Sequence, residues 1–275
     1  MIDTIRIHGG RAHVDELLAS ALFISYNPEI KRVIREVPTK GAVKPCNEVW
    51  LDCGGKYDPE GGYFDHHQQE KAVEDQCAFS LVLKHFSGLS DRELEALLGL
   101  SYPFTVLKDC KGFVNAGKRL SGIREEDLEL CAEFSNSIIE GLILSLFEKN
   151  MLDINLLKAL GDDLKQTLKV RRSFKELLNQ QATRMKTSLV IPTVIPAGCK
   201  HIVDNYLDNM TVRPAFIVSR SAQNNNYCAV KTYEGRKANF ALLPPAMVKF
   251  RHKTDFLVVF SSENLEQITM ELKKL

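Results

Sequence analysis

Several familiar chemistries have no foothold in this sequence. It contains no GxSxG, no CxxC and no GxGxxG, so it offers no serine elbow, redox pair or dinucleotide loop to reason from. Its seven cysteines are odd in number and unpaired in spacing. They read as free thiols of a reducing compartment, not as a disulfide framework or a zinc ribbon. An excess of either charge is also lacking: 36 Lys and Arg face 35 Asp and Glu. A generally basic nucleic-acid binder is therefore not expected, although a local basic patch is compatible with that balance. The longest apolar run, 138–147, is interrupted by Glu140 and too short to span a bilayer. The opening MIDTIRIHGG has no basic stretch followed by an apolar one, so no signal peptide is read and a cytoplasmic location is expected. No internal repeat or low-complexity segment stands out.

What is present is a chain of 275 residues, 44% of them hydrophobic, enough for one large domain or two ordinary ones. Strand-like runs at 3–8, 31–37 and 48–53 alternate with helical patterns beginning at Asp15 and covering 78–86 and 91–98. That alternation predicts an α/β fold with a parallel or mixed sheet flanked by helices. From Glu125 to about Lys186 the pattern is helical, with Leu128, Cys131, Phe134, Ile138 and Leu142 on one face. The basic stretch 165–186, free of Gly and Pro, predicts a long connecting helix. Beyond it come short β-like runs at 190–191, 215–219, 227–232, 240–243 and 256–260, then a closing helix from about Asn264. The expected division is a domain over 1–186, including the connecting helix, and a smaller α+β domain over 187–275.

Three segments share one property: each sets acids or histidines just after a predicted strand. They are HGGRAHVDE with His8, His13 and Asp15, WLDCGG with Asp52, and YFDHHQQE with Asp65, His66 and His67. Ligands of α/β sheets bind beyond the carboxyl ends of parallel strands, so one sheet can deliver all of these to one rim. Each segment has a plainer reading: a solvated turn, a helix cap at Asp15, a turn cap at Asp52. Together they suit two neighbouring divalent ions, because carboxylates bridge metals and neutral imidazoles ligate them. Two such ions carry four positive charges. Asp15, Asp52, a third Asp and one hydroxide balance them, which is the charge pattern of a phosphoester-hydrolysing site.

On these residues the chain resembles the DHH phosphoesterase superfamily, named for the Asp-His-His run. It is most similar to the UPF0160 branch, also labelled metal-dependent protein hydrolase, with a melanocyte-proliferating-gene exonuclease among its members. IHGGRAHVDE, LDCGGKYD and FDHHQ stand where that branch has THNGxFHxDE, VDVGGxYD and FDHHQ. The resemblance covers residues 1–70 closely and fades through the helices. It implies metal ligands at His8, His13, Asp15 and His66, a bridging Asp52, and a further ligand at Asp109 in FTVLKDCKGF. It also implies a substrate-facing His67 oriented by Asp65. The branch's C-terminal FVHASGFIGG is replaced here by FLVVFSSENL, and the GGGH-like motif of other DHH nucleases is missing.

The function so implied is a metal-dependent phosphodiesterase, acting as an exonuclease on short or single-stranded nucleic acid, RNA favoured. Two divalent ions are expected, Mn²⁺ first, with Zn²⁺, Fe²⁺, Co²⁺ and Mg²⁺ as alternatives. Arg220, Arg236 and Lys237 are the candidate substrate-binding cations, with Lys231, Arg251 and His252 also available. Two other readings stand beside it: a phosphohydrolase of a small nucleotide or phosphoanhydride, and a metal- or nucleotide-binding protein without turnover.

Overall fold

The computed structural model describes residues 1–39, 41–67, 76–111, 116, 119 and 138–275. The expected helical face at Leu128, Cys131 and Phe134 lies outside them, as does Gln68. The described chain is mixed α/β and divides into two compact units, Met1–Leu168 and Lys169–Leu275.

In the first unit, β1 (Thr4–Ile7), β2 (Arg32–Arg35), β3 (Glu48–Leu51) and β5 (Tyr63–Phe64) form a parallel sheet in the order β2-β1-β3-β5. The short β4 (Tyr57–Asp58) adds antiparallel to β5 at one edge. Ile5, Ile7, Val49, Leu51 and Phe64 are buried in its core, as expected for a sheet covered by helices. Arg6, between Ile5 and Ile7, instead meets Glu48 in a two-pronged ion pair at 2.8 and 2.9 Å, and Trp50 donates to the same carboxylate at 2.8 Å.

Helix α1 (Val14–Tyr26) packs against α2 (Ala78–Ser87) and β3, and α2 packs against β5. Leu22, Phe23, Leu81 and Val82 fill the space between helices and sheet. Helix α2 stops at Gly88, whose φ of 66° suits a left-handed cap. The sequence Ser90-x-x-Glu93 starts α3 (Asp91–Leu98) by a capping box: Ser90 N–H donates to Glu93 at 2.8 Å, and Glu93 N–H returns to Ser90 Oγ at 3.4 Å. Then follow α4 (Ser101–Lys111), α5 (Ile138–Glu148) and the long α6 (Ile154–Gln181). Gly161 lets α6 lie directly on α1, because a Cβ there would collide with the Ala21 carbonyl oxygen.

The second unit has its own sheet, in the order β10-β11-β9-β8-β7-β6, where only the β7–β8 pair is parallel. Its strands are β6 (Thr183–Met185), β7 (Ser188–Val194), β8 (Phe216–Arg220), β9 (Tyr227–Lys231), β10 (Val248–Arg251) and β11 (Leu257–Phe260). Alternation along β7 gives the sheet two covered faces. Leu189 and Ile191 join Phe174 and Leu178 of α6 and Ile202 of α7 (Lys200–Asp208), while Val190 joins Phe240, Phe260 and Ile268 of α8 (Leu265–Lys273).

Two expectations need correcting. The helix does not continue to Lys186: it ends at Gln181, and 183–185 form a strand. A two-residue hairpin with Lys186 at φ 56° lets Thr183–Met185 pair back on β7, so tertiary pairing overrides the helical pattern. Residues 240–242 are a 3₁₀ turn and not a strand. Asn239 accepts from the Ala241 N–H at 2.9 Å and directs the Phe240 ring into the core.

Candidate metal centre

Three of the parallel strands, β1, β3 and β5, end at the same rim. His8 follows β1, Asp52 follows β3, and Asp65, His66 and His67 follow β5. The loop after β1 returns through His13 into α1, whose first turn carries Asp15 and Glu16. Helix α4 adds Asp109 and Cys110. A cavity of about 730 Å³ opens over this rim and is lined by His8, His13, Asp52, His66, His67 and Asp109, among others.

The side chains form a connected chain of close pairs. His8 Nε2 lies 2.9 Å from Glu16 and 3.1 Å from Asp52. His66 Nε2 lies 3.3 Å from Asp52 and 3.2 Å from Asp109. Asp109 reaches His13 Nδ1 at 3.6 Å. Four groups of potential ligand atoms, each within 4.8 Å, therefore share members: Asp52-His66-His67, His8-Glu16-Asp52, His66-Asp109-Cys110 and His13-Asp15-Asp109. Asp52, His66 and Asp109 each belong to two groups. All six side chains expected as ligands are thus brought together.

Asp52 sits in the left-handed region, at φ 52°, followed by Gly54 and Gly55 at φ 97° and 83°. Aspartate is among the few non-glycine residues that tolerate this conformation. The turn reverses the chain at once after β3 and leaves the carboxylate on the rim. Gly54 is required here, since a Cβ would meet the Trp50 ring at 2.5 Å. Asp65 is buried and held by backbone and side-chain contacts. It accepts from Gly55 N–H at 2.8 Å and His67 N–H at 3.0 Å, and lies 2.8 Å from His67 Nδ1. It therefore orients the exposed His67 imidazole.

The electrostatics are those of concentrated negative charge. His8 is pushed up to about 11, first by its hydrogen bond to Asp52 and then by Glu16. Burial opposes protonation of His66, yet hydrogen bonds to Asp109 and Asp52 push it up to about 12. His67 is raised by Asp65. For Asp52, burial is outweighed by His66 and His8, which lower it. Asp109 is lowered in the same way by His13 and His66, against burial. Asp15 goes the other way: burial, then Asp52 and Asp109, raise it well above the usual range. It is 1% exposed, and neither carboxylate oxygen has a hydrogen-bond partner among the described residues.

Buried carboxylates are ordinarily paired. Here the charges around His8, His66 and Asp15 favour the protonated form of each, which marks places that suit cations. The donor set of imidazoles and carboxylates matches that of divalent metals. The orphaned Asp15 oxygens, and the buried His66 Nε2 set between the Asp52 and Asp109 carboxylates, are what such ligands leave open before an ion is bound. The residues present therefore fit a metal centre.

Two members of the cluster were not anticipated from the sequence. Glu16 is fully buried, accepts from His13 N–H at 2.9 Å to cap α1, and pairs with Arg35 at 2.7 Å. Its signal was its place three residues after the cap, the capping-box position. Cys110 follows Asp109 directly, and only that adjacency marked it. In the second unit, Arg220 is engaged by Glu263 at 2.9 Å and lies over the Tyr227 ring at 3.8 Å. Arg236 lies over Tyr233 at 3.9 Å, and Lys237 is exposed. Among the described residues, no helix is long and apolar enough to cross a membrane.

Residues 4–94 match the family model MYG1_exonuc, described as an uncharacterised protein family (UPF0160). The match covers β1 to α3 and supports a relation to that family over this region. No curated protein matches the chain.

Proposed function

We propose that this protein is a metal-dependent phosphodiesterase of DHH type, working as an exonuclease on short or single-stranded nucleic acid, with RNA favoured. The observation that carries this reading is the linked set of ligand groups through Asp52, His66 and Asp109 at the ends of three parallel strands. The label of the matched family, an exonuclease, agrees with it.

In this reading His8, His13, Asp15, Asp52, His66 and Asp109 would hold two divalent ions. Glu16 is balanced by Arg35, which leaves Asp15, Asp52 and Asp109 as three negative charges against four positive ones. The small surplus favours an anionic ligand. When bound, the ions supply Lewis acidity toward phosphoryl oxygens and an activated water. Asp65 holds His67 by its Nδ1 side, which turns the exposed imidazole Nε2 toward substrate phosphate. The left-handed turn at Asp52 would hold its carboxylate at the rim as a ligand. Residues 187–275 serve as the substrate-binding domain, with Arg236 and Lys237 the cations presented to solvent. Arg220, tied to Glu263, contributes less.

An activity panel on protein loaded with Mn²⁺ tests this, using RNA and DNA oligomers, dinucleotides and pyrophosphate. Turnover of single-stranded oligomers, RNA above DNA, is the expected result. Turnover of pyrophosphate alone would shift the reading to a small-molecule phosphohydrolase. Metal binding without any turnover would make it a binding protein.

A further inference from the structure

Cys110 stands apart from the other described cysteines at the rim. Cys53 lines the same cavity, but its thiol is buried and faces the Arg6 carbonyl oxygen at 3.6 Å. Cys77 is fully buried. Only Cys110, half-buried, belongs to a group of ligand atoms, with His66 and Asp109. Its Sγ donates to the Gln76 carbonyl at 3.0 Å, which is what a structural thiol would do. Neighbouring donor groups argue for more. His66 Nε2 is buried against the Asp52 and Asp109 carboxylates at 3.3 and 3.2 Å, and Asp109 is shared with Asp15, whose two buried oxygens are unpartnered among the described residues. The thiol therefore lies beside donor groups that suit a metal ion.

We propose that Cys110 is a metal ligand: its thiolate joins His66 and Asp109 around one of the two ions and makes that position prefer Zn²⁺, Fe²⁺ or Co²⁺ over Mn²⁺ and Mg²⁺. This rests on the metal-centre reading above. The preference follows from softness, since thiolate favours the later, more polarizable ions while carboxylate sites accept Mn²⁺ and Mg²⁺. As the sulfur–metal bond forms, the S–H bond breaks, the proton passes to solvent, and no electron is transferred. The centre is then unsymmetrical. One position is held by oxygen and nitrogen around Asp15 and His13, and the other includes sulfur.

Cobalt reports the two halves of this separately. The full chain is loaded with Co²⁺ and its absorption recorded, with circular dichroism as the check on folding. Visible d–d bands report bound metal, and a near-ultraviolet sulfur-to-cobalt charge-transfer band reports the thiolate. The expected result is that band in the native protein, its loss in Cys110→Ser, and its retention in Cys53→Ser. Zn²⁺ affinity in chelator competition should fall at least about tenfold in Cys110→Ser, with Mn²⁺ affinity changing less. Should Cys110→Ser fail to fold, X-ray absorption of the native zinc-loaded protein decides instead, by a sulfur shell at about 2.3 Å. Visible bands without charge transfer, a band that survives Cys110→Ser, or a zinc spectrum with no sulfur shell would overturn the thiolate and leave the metal centre standing. No bound cobalt at all would overturn both.

Discussion

The bridging role assigned to Asp52 depends on one carboxylate in an unusual backbone conformation. Asparagine tolerates the left-handed region as aspartate does, so Asp52→Asn keeps the turn and removes one charge and one bridging oxygen. Phosphodiesterase turnover at saturating Mn²⁺ should fall at least about a hundredfold. Asp58→Asn, a few residues on, removes the same charge from a group that, among the described residues, pairs with Lys56 and the Gly61 N–H. Its turnover should match the native protein, and a comparable loss there would point to loop disruption instead. Asp15 makes a different prediction, because its buried carboxyl is unpartnered and faces Asp52 and Asp109. In Asp15→Asn the amide can donate to those acids. Thermal unfolding of the metal-free variant should then occur at or above the native temperature while metal affinity drops. A variant that loses stability and keeps its metal would contradict the assignment. His8, His13, Asp15, Asp52 and His66 stood out because acids and histidines cluster just after predicted strands, whereas Asp109, on α4, entered through the family resemblance. Glu16 and Cys110 did not stand out, since each lies beside a residue already assigned and nothing in one dimension shows which of two neighbours turns inward.

Elements carry these residues to the rim, and the close approach of α6 to α1 at Gly161 is one place where an element is held. Gly161→Ala would normally favour a helix, but here its methyl group meets the Ala21 carbonyl. Urea unfolding should show a net loss of about 1–3 kcal/mol, and a gain would mean that α6 does not rest on α1. The parallel sheet, α1 to α3 and the long helix could be read from periodicity and capping signals. The two-residue β4 could not, because a segment that short carries no period, and its pairing with β5 is decided by the Gly-rich turns around it. The end of α6 and the turn at Phe240 were misread for a related reason. Pairing with β7 and burial of one ring outweighed local pattern.

For the whole molecule the titration shifts set a pH dependence that metal should reverse. His8 and His66 are raised from 6.5 to about 11 and 12. The folded, metal-free protein therefore keeps protons that the unfolded chain releases, and this stabilisation, complete below 6.5, is lost as pH rises toward those values. Asp15, also raised, acts in the same direction from its ordinary 3.8 upward. Asp52 and Asp109 are lowered, so their contribution is present above 3.8 and lost as pH falls below it. Metal-free protein should thus be most stable in mild acid and melt at lower temperature as pH rises from about 6 to 9. With Mn²⁺ present the slope should invert over that range, because the same ligands must shed protons to bind. Parallel slopes with and without metal would separate the histidines from the metal. The most direct test of the central claim is the metal content of the protein after equilibration with Mn²⁺ and removal of free ion, measured by elemental analysis. Two ions per chain are expected from the shared groups around Asp52, His66 and Asp109, and a content of zero would contradict the account.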